Sequence, residues 1–195
     1  MAPGERMAAN KTTVPVRLFQ GIAEAAALGN LRYAEELARQ VATLDEDQGN
    51  ELREALQVVR QGLRAVERRP KDPHAHLLLA RGYFFADAGD AGLQEANEAL
   101  RLDPSVGEAA VMIGLEYCYR GELEPARSAY QRARTVLSPS NQWLIGLGVT
   151  IRSSETALHD PANAVPVANP WMQLRKKITD SGRLLGALAS RKISR

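Results

Sequence analysis

Leu79-Ala80-Arg81-Gly82-Tyr83, Ile113-Gly114-Leu115-Glu116-Tyr117 and Leu147-Gly148-Val149-Thr150-Ile151 follow one another at intervals of 34 residues. Each opens on a large aliphatic residue, continues with Gly or Ala, and has an aromatic or aliphatic residue three positions later. Ala99 with Ala133 and Pro70 with Pro104 keep the same register. A fixed period of this length marks a chain built from helix hairpins, each burying its face only against its neighbours. On this reading Ala80, Gly114 and Gly148 are small because the two helices of a hairpin approach closely there, and Tyr83 and Tyr117 fill the gap between adjacent hairpins.

Working outward, the apolar spacing predicts helices over about 16–28 and 31–44, the first ended by Gly29-Asn30. Asp45 to Asn50 reads as a polar turn, followed by a helix over 51–69 with Leu52, Leu56, Val59, Leu63 and Val66 as its buried stripe. Residues 31–72 form a divergent repeat, because the Leu-Gly position of the period falls on Asp45-Glu46. Clear repeats span 73–104 and 107–140, the first opened by Asp72-Pro73, an N-cap with proline at the first helical position. In that repeat Gly89-Asp90 marks the turn, predicting helices over 73–87 and 90–102, so that the first is slightly longer than its counterpart in the next repeat. A capping helix is expected over 140–154. Residues 156–170, with Pro161, Pro166 and Pro170, read as a linker, and residues 1–15 as a disordered leader without a signal-peptide core.

The recurrent block resembles the tetratricopeptide repeat (TPR): large apolar residue then Gly or Ala, an aromatic three further on, small residues in the second helix and a closing proline. The resemblance implies an all-α fold, a TPR-like right-handed helix-hairpin solenoid of about eight or nine helices. It further implies a concave groove lined by first-helix residues, in which ligands lie. Carried over by register, the groove positions include Leu77, Arg81, Phe84 and Phe85 from the first clear repeat. Val111, Leu115 and Tyr119 come from the second, and Ile145 and Arg152 from the third copy. His74, Glu108, Cys118, Gln142, Val149 and Ser153 share these positions. Some family members clamp a C-terminal carboxylate with Lys and Asn, but Leu77, Arg81 and Val111 stand here instead. The expectation is an apolar helix or extended peptide of a protein partner, anchored by Phe84, Phe85 and Tyr119. The alternative is that the face is covered by the chain's own tail or by a second copy. In architecture the chain is similar to the small chaperones of bacterial type III secretion translocators.

The formal charge of +2 conceals a split. Residues 171–195 carry seven Lys or Arg and one Asp, which leaves 18 basic and 22 acidic groups on the rest. The segment from Trp171 to Ser190 reads as a basic amphipathic helix. Trp171, Leu174 and Ile178 lie on its apolar face, and Arg175, Lys176 and Lys177 beside them. Such a helix docks on protein through its apolar stripe, on its own body or a partner. An anionic membrane surface is a further possibility for it. The acidic body, with no aromatic residues interleaved among the basic ones, argues against nucleic acid as the main ligand.

No catalytic constellation stands out. His74 and His76 are two residues apart and point to different sides of a helix, and His159 falls in the linker. They make no metal set with the single cysteine, Cys118, which reads as a small core or groove residue. No Gly-rich loop precedes a Lys-Ser or Lys-Thr pair. The expected function is therefore a non-enzymatic, cytoplasmic protein-binding adaptor or chaperone-like module, with no cofactor. The alternatives are a structural subunit of a larger assembly, self-associated or with other chains, or a membrane- or nucleic-acid-associated factor acting through the tail.

Overall fold

A computed structural model describes residues 14–159 and Trp171. Most of the expected leader, most of the linker, and Leu174, Arg175, Lys176, Lys177 and Ile178 of the tail lie outside the described residues. These are all-α: eight helices and no strand. The helices are α1 (Val16–Ala27), α2 (Leu31–Leu44), α3 (Glu46–Arg68), α4 (Pro73–Phe85), α5 (Gly89–Leu102), α6 (Gly107–Tyr119), α7 (Leu123–Val136) and α8 (Gln142–His159).

Helices α4 and α6 have the same length and lie 34 residues apart, and so do α5 and α7. This corrects the expected turn at Gly89-Asp90. Asp87 holds the left-handed conformation with φ 64°, at the position where Gly121 holds it with φ 75° in the next hairpin. Gly89 and Asp90 already belong to α5. Asp tolerates left-handed backbone better than most residues, so it can stand where glycine is usual. The turn between α1 and α2 has the same form around Gly29, φ 71°.

Three further boundaries differ from expectation. The acidic run after α2 is helical, because Asp45 caps α3 by accepting from the Gln48 backbone N–H at 3.0 Å. The Gln48 side chain reaches back to the same carboxylate at 2.9 Å. This reciprocal cap leaves Asp45 as the sole residue between α2 and α3. The expected leader ends earlier than 15, for Val14 is buried in the core and Pro15 is the N-cap of α1. Helix α8 runs five residues past the expected end at 154. The hydroxyls of Thr150, Ser154 and Thr156 each donate to the carbonyl four residues back, which keeps this hydroxyl-rich stretch helical.

The core is made largely of Ala, Leu and Val, and each helix packs on the next along the chain. Helices α4, α6 and α8 also touch in succession. The closest backbone approach joins α3 to α4. A Cβ on Gly62 would lie 2.5 Å from the Leu79 Cα, and one on Gly82 would lie 2.6 Å from the Val59 N. Three residues back on α3 correspond to three residues forward on α4, so the pair is antiparallel. At Gly114 the tightest neighbour is Leu147 of α8, at 2.6 Å, rather than Ala129 of its hairpin partner α7, at 3.4 Å. Its smallness thus serves the packing of successive first helices more than the hairpin itself. Ion pairs link neighbours as well: Arg60 with Glu35, and Arg127 with Glu155 at 2.7 Å.

Candidate functional site

The C-terminal turn of α4 presents two consecutive aromatic rings, Phe84 and Phe85, toward α6. The chain's own Trp171 is seated on them. Its ring system stacks on Phe84 with centroids 4.5 Å apart and planes within 8°, and meets Phe85 at 6.3 Å with a 60° tilt. Trp171 is 2% exposed. Burial of a side chain this large contributes roughly 3 kcal/mol, and an aromatic contact of this kind adds about 1 kcal/mol.

The polar end of the indole is also satisfied. Its Nε1–H donates to Glu116 Oε2 at 2.8 Å. Glu116 sits on α6 and is 4% exposed, a carboxylate on a helix whose other residues from Ala109 to Cys118 are apolar. Arg120 compensates it from one turn later, donating Nε–H to Glu116 Oε1 at 2.8 Å. The same guanidinium reaches Asp90 Oδ1 of α5 at 2.8 Å. Burial disfavours the charged Arg120, but its bonds to Glu116 and Asp90 outweigh this and raise its pKa. Gly89 makes the arrangement possible: a Cβ there would collide with the Glu116 carboxylate and come within 2.8 Å of Arg120 Nη2.

Beside the indole lies an open pocket lined by Arg81, Phe85, Glu108, Val111, Met112 and Trp143, with Trp171 forming one wall. Arg81 of α4 and Glu108 of α6 stand 3.9 Å apart across it. Burial pushes the Arg81 guanidinium pKa down, and Glu108 opposes that shift.

The expected groove residues divide into two sets. Leu77, Val111 and Leu115 are interior, each with 5% exposure or less, and have no surface to offer a partner. Phe84 and Phe85 are likewise buried, with Trp171 on top of them. Tyr119, Ile145 and Arg152 are exposed, as is Val149. Cys118 is buried, and burial, with a smaller contribution from Glu155, pushes its thiol up to about 11.

Glu116, Arg120 and Gly89 were not among the expected site residues. The available signal was a single carboxylate in an apolar helix, four residues before an arginine. His76 is a second buried polar group outside the groove. It bridges Glu95 Oε2 at 2.7 Å and the Pro70 carbonyl at 2.9 Å. Among the described residues there is no cluster of His, Cys, Asp and Glu suited to a metal ion, and no helix is long and apolar enough to cross a membrane. Comparison with family models, with curated proteins and with solved structures found no match to this chain.

Proposed function

We propose that the chain is a TPR-like helix-hairpin solenoid, working in the cytoplasm as a non-enzymatic adaptor or chaperone-like module that binds a segment of a partner protein. The observation that carries this reading is the seating of Trp171 between α4 and α6. The first-helix face holds a side chain delivered from a distant part of the sequence, 55 residues from its hydrogen-bond partner. The 34-residue offset of α4/α5 to α6/α7 supports the repeat architecture. An aromatic anchor filling a desolvated pocket is how protein interfaces concentrate their binding energy.

The test is selection of a displayed random-peptide library against the full chain and against its Trp171→Ala variant. Enrichment of peptides with an aromatic or aliphatic anchor, stronger for the variant and reduced by Glu108→Ala or Tyr119→Ala, is the expected result. No enrichment with either protein would overturn the adaptor reading.

A structural role in an assembly draws on a different observation. Ile145 and Val149 are about half exposed and one turn apart on α8, with Tyr119 at 43% on α6. Sedimentation that shows a stable oligomer, broken by Ile145→Lys with Val149→Lys, favours this second reading.

A further inference from the structure

We propose that Phe84, Phe85 and Glu116 form a site selective for tryptophan, and that a tryptophan-bearing segment of a partner enters it by displacing the chain's own Trp171. The inference rests on the adaptor reading and names the ligand chemistry of its site.

Three features select an indole over other aromatic side chains. Phe84 offers a flat face for parallel stacking at 4.5 Å, and Phe85 closes one edge at a 60° tilt. Glu116 Oε2 stands at the edge where an indole presents its N–H. A phenylalanine would leave that buried carboxylate oxygen without its donor, and an unsatisfied buried acceptor is what makes polar sites discriminate strongly. The acceptor is held in place independently of the tryptophan, since Arg120 fixes the other oxygen and Asp90 fixes Arg120. The site is therefore prepared before any indole arrives. The neighbouring pocket, with Arg81 on one side and Glu108 on the other, gives an incoming segment contacts beyond the ring.

Trp171 is attached to the body it occupies, eleven residues beyond the end of α8. Tethering gives an internal ligand an effective concentration on the order of millimolar. A competitor then sees only the fraction of molecules in which the site is open, and its apparent affinity falls by that fraction. Trp171 thereby sets a threshold: isolated tryptophan side chains are kept out, while a segment adding contacts in the Arg81–Glu108 pocket enters.

The probe is a synthetic peptide of residues 165–178, which carries this tryptophan, added in trans to full-length protein. Titration should give an affinity for Trp171→Ala at least about tenfold higher than for the unsubstituted chain. Replacing the peptide's tryptophan by 1-naphthylalanine keeps the stack and removes the N–H; it should weaken binding to Trp171→Ala by about tenfold or more. Glu116→Gln, with a neutral acceptor in place of the carboxylate, should narrow that difference. As a check that does not depend on a variant, the unsubstituted chain labelled with 5-fluorotryptophan should show one of its two fluorine resonances move to its solvent position as unlabelled peptide is added.

Equal affinity for Trp171→Ala and the unsubstituted chain, with neither resonance moving, would overturn displacement. Equal binding of tryptophan and naphthylalanine peptides would overturn the role of Glu116. If the peptide fails on Trp171→Ala while the library yields other ligands, the tryptophan site falls and the adaptor reading stands. If the library also yields nothing, both fall.

Discussion

Gly62 of α3 faces Leu79 of α4 so closely that a methyl group on the glycine would stand 2.5 Å from the Leu79 Cα. The obstacle is backbone, so no rotamer change relieves it, and the two helices would have to move apart. Gly62→Ala should lower stability by about 1–3 kcal/mol despite the higher helix propensity of alanine. Chemical denaturation of the two proteins, with circular dichroism as the signal, checks this.

Gly121 presents the opposite situation. Its φ is 75° and no atom lies within 4 Å of where a Cβ would be. Gly121→Ala should therefore cost about 1 kcal/mol through backbone conformation alone. In a denaturation series its effect should add to that of a substitution at Gly62, because the two sites belong to different hairpins.

His76 gives the fold a pH dependence. Burial disfavours its charge, but the bonds to the Pro70 carbonyl and the Glu95 carboxylate, with the further negative charges of Glu95 and Glu98, raise its pKa above 6.5. Both ring nitrogens face acceptors, so the imidazolium is the form that satisfies the site. Its contribution is complete below the unfolded value near 6.5 and is lost as pH rises through the raised folded value. The midpoint of thermal unfolding should fall across that window, with a loss of about 1.5 kcal/mol. His76→Ala should flatten the profile there.

Cys118 should be inert toward thiol reagents. With its pKa pushed up to about 11, roughly one thiol in a thousand is ionised at pH 8. Labelling at that pH should be at least about a hundredfold slower in the native protein than in denaturant, and Glu155→Ala should change it little, since burial is the larger cause. Rapid native labelling would place the α6–α8 contact in an open state.

The repeat was legible where packing imposes a period. Leu79, Ile113 and Leu147 recur because successive first helices meet there, and α2 could be bounded from its 4-4-3 stripe. The turn after α4 was misread because glycine at 89 suggested a turn, while the left-handed residue is Asp87. Composition made Asp45–Asn50 look like a loop, although Asp45 and Gln48 together cap a helix. The binding site was half visible. Phe84 and Phe85 stand out as a pair at groove positions, but α6 is buried on nearly every face, and periodicity cannot then single out Glu116. The partnership of Glu116 with Trp171 joins distant parts of the chain and leaves no local trace.

The hairpin turns share one construction: a capping residue, a left-handed residue, one more residue, then the next helix, at Gly29, Asp87 and Gly121 alike. With α4/α5 and α6/α7 matched residue for residue in length, the chain comes in a fixed unit of currency. Natural or engineered changes in its length should be tolerated in whole steps of 34 residues, whereas the loss of a single residue inside a helix puts every later contact out of phase. Evolution of this protein is therefore expected to lengthen or shorten it by duplication and excision of complete hairpins.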